Sequence, residues 1–412
     1  MKKTSFLDYL KFIGPGIAVA ATGVGAGDLI SASVAGAQYG TVILWAVILG
    51  AIFKYVLNEG IARWQLSTGS TILEGWVSKL PKIVSIYFIT YLCIWSFVVA
   101  GALISACGIA ANAIFPEFSI QVWGIIHSLF GAIVVYYGRY SVFEKLMKIF
   151  IAVMFITFIY CAVLVIPHTG LTLSNFIPSI PQGSGKFILS ILGGVGGSVT
   201  LLSYGYWIRE RGLRTKEDMN KSKFDLAVAY FFTGLFGIAV LIIATGITPK
   251  ILQGSQIILE MSVILEALLG TMGKWIFLIG FWGAVFTSLL GVWQGVPYIF
   301  SDFIVTFNKH NAKKDEDKNQ KKQGEFYYNI FLIFLAVPPL LLLLFNRPGW
   351  IIIIYTITGS FFMPFLAITL LIMNNKKNWV GNFKNSIIIN ILLLICLLLF
   401  VYISADEIID LF

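Results

Sequence analysis

Charged residues are scarce in this 412-residue sequence, at 12% of the total against roughly 25% in a soluble domain. The mean hydropathy is correspondingly high, at +0.87. Cysteine occurs only four times and histidine three times, scattered without the spacing of a metal site. These shortages exclude a water-soluble globular protein, a disordered chain and a disulfide-rich scaffold.

Long apolar stretches are what the sequence has instead. A helix needs about 20 apolar residues to cross a bilayer, and backbone groups in lipid must be satisfied within the segment. Shorter, alternating strands would be typical of an outer-membrane barrel. The sequence therefore predicts an all-α polytopic membrane protein with a single transmembrane domain covering residues 1–412. Eleven helices are expected, over approximately 12–35, 41–66, 83–114, 119–137, 144–166, 186–208, 225–246, 273–303, 326–345, 349–373 and 384–404.

The basic residues are distributed unevenly between the loops. With the N-terminus in the cytoplasm, 24 of the 29 Lys and Arg residues fall on the cytoplasmic side and four on the other. Because cytoplasmic loops are enriched in Lys and Arg, this asymmetry predicts a cytoplasmic N-terminus and an extracytoplasmic C-terminus in the cell membrane. The same topology accounts for the net charge of +9, so nucleic acid is not an expected partner. The charged segment 308–324 is predicted to be a solvated cytoplasmic loop.

Glycine clusters interrupt two of the predicted spans. The first span carries Gly23, Gly25 and Gly27 near its middle, and the sixth contains four glycines within 193–197. Each glycine in a helix costs about 1 kcal/mol, so such clusters need a reason. Spans one and six hold the same position in a five-plus-five repeat, and transporters commonly bind substrate where two such helices unwind. We therefore predict discontinuous helices 1 and 6, with close packing through small residues as the alternative.

Four charged residues, Asp28, Lys54, Glu59 and Arg63, lie within the first two predicted spans. Asp28 follows the first glycine cluster, and a carboxylate at membrane depth indicates a functional site. Its structural alternatives are to cap the second half-helix or to pair with Lys54 of the second span. Lys54 and Glu59 are on poorly matched faces of one helix, so a mutual pair is not expected. Lys54 and Glu59 are therefore expected either to form structural ion pairs, Glu59 with Arg63, or to take part in coupling or gating.

A charged cluster and two aromatic stretches lie in or beyond the sixth span. Arg209 and Glu210 are interpreted as part of a cytoplasmic gate or charge anchor, with positive-inside topology alone as the alternative. The aromatic stretches are 204–207 and the pair formed by 281–282 and 293–294. Aromatic rings enclose organic groups or cations, although ordinary packing and interfacial belts explain them equally.

Several short segments resemble those of a known transporter family. They lie within the first 74 residues at spacings that run without gaps: Gly14–Gly16, Ala35–Gly40, Leu44–Trp45, Ala62–Arg63, Thr68–Gly69 and Glu74. They resemble the natural resistance-associated macrophage protein (Nramp) family of divalent-metal transporters. The resemblance implies the five-plus-five inverted repeat of the amino acid–polyamine–organocation superfamily. On this fold, residues 12–166 and 186–373 are the two repeats and 384–404 is the eleventh helix.

The metal-site motifs of that family are altered in this sequence. Where the family has Asp-Pro-Gly-Asn in the first span, this chain has Gly25–Asp28. Where the family has Ala-x-x-Met-Pro-His in the sixth span, this chain has Gly197–Leu202, so Thr200 replaces the methionine. The two acidic positions that the family uses for proton passage fall on Ala100 and Leu103. The resemblance therefore does not carry the family's proton coupling over to this chain.

The ligands that remain are oxygens only. Thioether sulfur favours softer transition metals, whereas hydroxyl, carbonyl and carboxylate oxygens favour hard cations. We therefore expect a divalent cation, a hard ion such as Mg²⁺ or else Mn²⁺, to bind with poor selectivity. Asp28 and Thr200 are the expected metal ligands, and the wider substrate site is expected to include Gly25, Ala26, Gly197, Ser198 and Tyr204.

Two further functions stay open at this point. The first is an Nramp-fold transporter of a non-metal solute, such as an amino acid or organic ion, which the aromatic stretches favour. The second is a receptor or structural membrane protein that transports nothing. The sequence contains no nucleotide-binding loop and no hydrolytic motif, so neither an enzyme nor a cofactor is expected. The expected partners are the substrate and the lipid bilayer, and the expected assembly is a monomer.

Overall fold

The computed structural model describes residues 14–16, 26–138, 140–194, 197–213, 215, 218–247, 254–312 and 320–409. At some helical positions, including 26–28, 140–148 and 210, it describes the backbone but not the side chain. Every regular element within these ranges is helical, and none of their residues forms a strand. The predicted all-α fold class is confirmed.

Sixteen α-helices lie in the described ranges. Short 3₁₀ turns join or extend some of them, at 40–43, 166–168, 173–176, 199–202 and 338–345. In chain order the helices are α1 Ala26–Tyr39, α2 Leu44–Thr68, α3 Ile72–Lys79, α4 Lys82–Ile114, α5 Ile120–Tyr137, α6 Tyr140–Val165, α7 Gly185–Gly194, α8 Ser203–Glu210, α9 Met219–Ala244, α10 Gly254–Leu269, α11 Thr271–Ala312, α12 Gln320–Ala336, α13 Pro348–Ser360, α14 Phe362–Met373, α15 Lys377–Val380 and α16 Ile387–Ile409.

Membrane-crossing segments dominate the chain. Nine helical stretches in the described ranges are long and apolar enough to cross a bilayer, and one of them, Leu29–Thr68, joins α1 to α2. Part of α6 adds a shorter apolar helix, Phe155–His168. The protein is therefore a multi-pass membrane protein. The total of eleven spans and the two five-helix repeats stay predictions, because the first span and α6 are described only in part.

The bounds of most membrane-crossing helices agree with the hydrophobic pattern, but those next to the charged segment 308–324 do not. Helices α4 and α5 begin and end within one residue of the predicted spans. Helix α11 instead continues to Ala312 and α12 begins at Gln320, so the two ends of the charged segment 308–324 are helical. Lys, Glu and Gln have good helix propensity, so loss of hydrophobicity does not by itself end a helix.

Three helices were absent from the sequence prediction, among them α15, a single turn over Lys377–Val380. Helix α10 has 16 residues, including Glu260 and Glu266, and is too short to span a bilayer. Helix α3 has only eight residues and begins with a capping box. In it the Thr71 hydroxyl accepts from the backbone N–H of Glu74, whose carboxylate accepts in return from the backbone N–H of Thr71.

Helix α7 lies at the centre of the bundle. It packs against α1, α2, α13 and α16, and its apolar window is buried throughout. By contrast, α5 and α16 carry exposed apolar side chains such as Phe130, Ile133 and Leu398. Such a surface is costly in water and suits lipid. The bundle therefore presents its outer helices to the bilayer and encloses α7.

Candidate functional site

The central feature is an interruption of the sixth predicted span. Helix α7 ends at Gly194 and helix α8 begins at Ser203. Between them Gly197 has φ +88°, a left-handed conformation that residues with a side chain adopt only with strain, and Ser198 is also non-helical. A 3₁₀ turn, Val199–Leu202, then leads into α8 and packs between α2 and α11. The predicted break of this helix is confirmed.

The glycines of the cluster serve two different purposes. A methyl group at Gly193 would lie 2.8 Å from the Cα of Ser360 on α13, closer than carbon atoms approach. Gly193 therefore permits close helix packing, which is the alternative that the sequence left open. Gly197 provides the positive φ at the break. Both explanations of the cluster hold, each at its own glycine.

Lys54 occupies the backbone oxygens at the break. Its side chain is completely buried, and its ammonium donates to the carbonyl of Gly193 at 2.7 Å and to the carbonyl of Gly197. Such carbonyls are what a broken helix offers to a cation. Here a positive charge of the protein itself already holds them.

The first predicted span is described only in part. Gly23 and Gly25 lie outside the described residues, so the structure does not describe the predicted break of this span. Ala26 and Asp28 belong to the backbone of α1, while their side chains lie outside the description. The ligand role of Asp28 therefore stays a prediction.

One turn beyond Asp28, hydroxyl groups join three helices. Ser190 Oγ on α7 lies at hydrogen-bond distance from two hydroxyls, Thr356 Oγ1 on α13 at 2.6 Å and Ser31 Oγ on α1. Thr356 in turn donates to the carbonyl of Ile353 at 2.8 Å. All three hydroxyls are buried and hydrogen-bonded. They hold α1, α7 and α13 together beside the break.

Several buried polar atoms around the break have no hydrogen-bond partner among the described residues. Ser198 Oγ and Thr200 Oγ1 belong to the break itself. The others lie on neighbouring helices: Trp95 Nε1 and Ser96 Oγ on α4, Ser203 Oγ on α8, and Trp293 Nε1 and Gln294 Oε1 on α11. An unsatisfied buried polar group costs about 1–3 kcal/mol. A water, an ion or a ligand bound at these atoms would satisfy them.

The chemistry of these groups is oxygen- and nitrogen-based. Among the described residues, no cluster of three or more His, Cys, Asp or Glu side chains could hold a metal ion. A cation at the break would therefore depend on hydroxyls, carbonyls and Asp28. Sequence reasoning included Ser198 and Thr200 but missed Trp95 and Ser96, although a polar pair within an apolar span is a usable signal.

Glu59 belongs to an ion-pair network in the C-terminal part of α2. It is buried and accepts from Arg63 Nε at 3.2 Å, and Lys223 Nζ lies 3.7 Å away. Arg63 also donates to the carbonyls of Phe383 and Lys384, both at 3.1 Å. Glu59 therefore pairs with Arg63 and not with Lys54, and the network fastens α2 to the segment before α16.

Asp225 on α9 binds the start of the first predicted span. Its two carboxylate oxygens accept from the backbone N–H groups of Gly14 at 3.0 Å and Gly16 at 2.7 Å. The hydroxyl of Tyr204 donates to the same carboxylate at 3.1 Å and lies 2.9 Å from Ser222 Oγ. Tyr204, expected at the substrate site, thus directs its hydroxyl to this contact.

Replacing Tyr204 by phenylalanine tests that assignment. We expect Tyr204→Phe to lower the free energy of unfolding by about 1.5–3 kcal/mol, the usual value of a hydrogen bond to a charged group, and to leave substrate affinity within about twofold. Thermal unfolding and binding titration of the purified protein measure the two effects. Loss of substrate binding at unchanged stability would instead place the Tyr204 hydroxyl at the substrate.

A polar cavity of about 600 Å³ lies between α8, α11 and the start of α12. Asp302, in its wall, accepts from the hydroxyl of Tyr206 at 2.7 Å. Arg209 lines this cavity, while the side chain of Glu210 lies outside the described residues. The remaining lining residues are Trp207, Gln294, Tyr298, Ser301, Val305, Lys321 and Gly324.

Helix α11 packs closely on the start of α8 beside this cavity. Gln294 lines it, and a methyl group at the next residue, Gly295, would lie 2.7 Å from Ser203 Oγ. The aromatic residues of α11 that the sequence paired, 281–282 and 293–294, face different neighbours. Trp282 donates to His127 on α5 at 2.9 Å, whereas Trp293 is buried and adjacent to Gln294 in the chain. Gln294 therefore belongs to the cavity wall next to a close contact between α11 and α8.

Comparison of the whole chain with known proteins found a matching family and several relatives. A model of the natural resistance-associated macrophage protein-like (Nramp) family matches residues 16–410. An uncharacterised protein of Pasteurella multocida is 22% identical, and the match spans 58% of this chain but only 57% of that protein's length. The divalent metal cation transporter MntH of Staphylococcus saprophyticus is 22% identical over 92% of this chain and 87% of its own.

A solved structure shares the fold. A variant of the manganese transporter of Eremococcus coleocola superposes with a TM-score of 0.75 and 13% identity, covering 99% of this chain and 88% of that one. At this identity the likeness establishes the fold alone.

Proposed function

This chain belongs to the natural resistance-associated macrophage protein-like family, and we propose that it is a secondary transporter that moves its substrate by alternating access. Members of the family are transporters and not enzymes. The observation that carries the proposal is the buried helix interrupted between Gly194 and Ser203, surrounded by unsatisfied polar groups. Interrupted helices of this kind form the substrate sites of many transporters.

The first substrate class is a divalent cation. It is supported by the names of the relatives, one of which is a divalent metal cation transporter and another a manganese transporter. The ligands would be the hydroxyls of Ser198 and Thr200 with the carboxylate of Asp28. Because these are all oxygens, we propose a hard ion such as Mg²⁺, or Mn²⁺, with poor selectivity.

Proton coupling of the family's kind has little support in this chain. Ala100 and Leu103, which stand where the family has acidic residues, are buried and apolar. They provide no group that could carry a proton along α4. We propose that a cation, if it is the substrate, moves without this coupling.

Titration of the purified protein with Mn²⁺, Mg²⁺ and Ca²⁺ tests the cation. We expect measurable binding, about tenfold weaker in Asp28→Ala because one charged ligand is removed, and corresponding uptake into proteoliposomes. Asp218→Ala is the matched control, since Asp218 pairs with Lys221 at the helix start and should leave cation binding unchanged. Equal binding by wild type and Asp28→Ala would contradict the proposed ligand set.

The second substrate class is a small organic solute. It is supported by Lys54, whose ammonium holds the carbonyls of Gly193 and Gly197 that a cation would use. Two unit charges of the same sign about 4 Å apart repel each other by about 4 kcal/mol near a protein surface, and a divalent ion doubles that. A substrate that accepts hydrogen bonds avoids this repulsion.

The topology completes the proposal. We infer a cytoplasmic N-terminus, an extracytoplasmic C-terminus, eleven spans in two inverted five-helix repeats and a monomeric assembly. The support is the distribution of Lys and Arg and the family membership. Epitope tags at the two termini should react from opposite sides of the membrane in intact and permeabilised cells.

A further inference from the structure

An apolar groove of about 430 Å³ runs between α2 and α9. Ala51, Tyr230 and Gly234 form its buried floor, and its two edges carry Ile52 and Phe231, which are 38% and 67% exposed. A methyl group on Gly234 would lie only 3.2 Å from Ala51 Cβ, so small residues let the two helices approach closely at the floor. An open apolar groove on a membrane-spanning bundle faces hydrocarbon.

The helical register places a lysine at one end of this groove. On α9 the groove is lined at Ala227 and then at every third or fourth residue up to Ile238, which is one side of the helix. Lys223 lies on that side, one turn before Ala227. On α2, Glu59 similarly lies one turn beyond Tyr55, the last lining residue. Lys223 Nζ is 3.7 Å from the Glu59 carboxylate, so the two sides meet at the same end.

The ammonium of Lys223 has room for a further partner. Its side chain is 41% exposed, and 3.7 Å to Glu59 is longer than a hydrogen bond. Glu59 is itself bonded to Arg63, so these three side chains together carry one net positive charge. The next carboxylate on α9, that of Asp225, is directed instead to backbone amides of the first predicted span. The end of the groove therefore favours an anionic group.

The length of the groove matches one leaflet of a bilayer. From Ala227 to Ile238, α9 rises by about 16 Å at 1.5 Å per residue. The hydrocarbon core is about 30 Å thick, so one leaflet contributes about 15 Å. Lys223 lies about 6 Å beyond Ala227, at headgroup depth when the groove is filled by an acyl chain. In the topology proposed above this end is cytoplasmic, the side on which anionic lipids give the membrane a negative surface potential.

We propose that the groove between α2 and α9 binds an anionic phospholipid, with one acyl chain in the groove and the headgroup phosphate at Lys223. Phosphate oxygens accept hydrogen bonds from an ammonium, and basic sites between membrane helices bind lipid headgroups in this way. Such a lipid contacts α2 and α9 at once and therefore stabilises their packing. The site is separate from the broken helix and goes beyond the transport role, because it takes a lipid and not the substrate.

Native mass spectrometry and thermal unfolding of the purified full chain in detergent test the site. The probes are phosphatidylglycerol and phosphatidylcholine with the same palmitoyl and oleoyl chains, and glycerol 3-phosphate, which has no chains. We expect both lipids to bind and to raise the unfolding temperature. Phosphatidylglycerol should bind about fivefold more tightly, the usual effect of one lysine near a charged surface. Glycerol 3-phosphate should have no effect, because burial of the chain provides most of the affinity.

Two lysine variants test the position of the headgroup. Lys223→Gln should bind phosphatidylglycerol and phosphatidylcholine equally, because the ammonium at the end of the groove is gone. Lys221→Gln is the matched control, since it removes the same charge from the same helix. Lys221 lies two residues earlier, on a different side of α9, where its ammonium is 2.8 Å from Asp218. It should keep the fivefold preference of the wild type.

Three tryptophan variants test the position of the acyl chain. Ala227→Trp and Ile52→Trp fill the groove from its two sides, and each should weaken binding of both lipids at least about tenfold, since each chain CH₂ that is no longer buried lowers affinity. Ala152→Trp on α6 is the control, because Ala152 is also exposed but does not line the groove. It should change lipid affinity less than about twofold. Variants that fail to fold are recognised by their unfolding temperature without lipid.

Several results would overturn the inference. They are equal affinity of the wild type for the two lipids, an effect of glycerol 3-phosphate as large as that of phosphatidylglycerol, and unchanged lipid binding by the folded groove-filling variants. A wild-type dimer that Ala227→Trp converts to a monomer without loss of lipid would assign the groove to a second copy of the chain. Proteoliposome uptake decides the transport role separately. Phosphatidylglycerol binding with no uptake of any probe supports this inference while overturning that role.

Discussion

Lys54→Met is expected to lower the free energy of unfolding by about 2–5 kcal/mol and to abolish transport. The ammonium is buried and donates to the carbonyls of Gly193 and Gly197. Without it, two buried acceptors at the break lose their donor, and each such loss costs about 1–3 kcal/mol. Thermal unfolding in detergent measures the first effect and proteoliposome uptake the second.

A surface lysine provides the control for that experiment. Lys274 pairs with Glu266 at 3.0 Å, and about one third of each side chain is exposed. Exposed ion pairs contribute about 0–1 kcal/mol, so Lys274→Met should leave stability and transport close to those of the wild type. If Lys54→Met were as mild as Lys274→Met, the ammonium would not be what holds the broken helix.

The same variant distinguishes the two substrate classes. Loss of a positive charge frees two carbonyls and removes repulsion, so a cation should bind more tightly to Lys54→Met than to the wild type. A carboxylate should bind more weakly, because its nearest opposite charge is gone. Parallel titrations of wild type and Lys54→Met with MnCl₂ and with a carboxylate such as L-lactate measure whether each affinity rises or falls.

Gly197→Ala is expected to reduce transport about 100-fold. Gly197 has φ +88°, which alanine adopts only at a cost of about 1–2 kcal/mol. Relief of that strain would move the carbonyl that Lys54 binds and the adjacent Ser198, and a displacement of about 1 Å at a functional site can cost 100-fold. Uptake and unfolding temperature are measured together.

Gly183→Ala separates backbone strain from function. Gly183 also has a positive φ, +73°, but lies in the segment before α7, where the nearest atom to an added methyl group is Tyr39 Oη at 3.5 Å. It should lose similar stability and keep full transport. Equal transport by the two variants would mean that the conformation at Gly197 matters only for folding.

Much of this fold could be predicted from the sequence because lipid imposes a strict rule. A segment in the bilayer must be apolar, helical and about 20 residues long, so α4 and α5 follow directly from the hydropathy. Helix interruption at Gly197 was also predictable, since several glycines together weaken a helix, although the packing role of Gly193 fits the same cluster. Hydropathy does not predict where a helix ends outside the bilayer, so the extension of α11 into the charged segment was not predictable.

The candidate site was less predictable because its groups come from distant parts of the chain. Trp95 and Ser198 are on elements whose proximity no single sequence reveals. Lys54 was recognised as unusual, but its partners are backbone oxygens, and any residue type could supply them. Tyr204 was placed at the substrate because it follows the break, yet the turn of α8 directs its hydroxyl to Asp225.

The contact between Asp225 and the backbone of Gly14 and Gly16 bears on how readily the molecule changes shape. A carboxylate and two amides that separate in oil would lose several kcal/mol, whereas the same groups separating as bulk water enters exchange one set of hydrogen bonds for another at little net expense. In a transporter that alternates access as proposed, water entering at this contact would supply the replacement hydrogen-bond partners. The rate of opening would then depend on the entry of water more than on the strength of the contact between Asp225 and the two glycines.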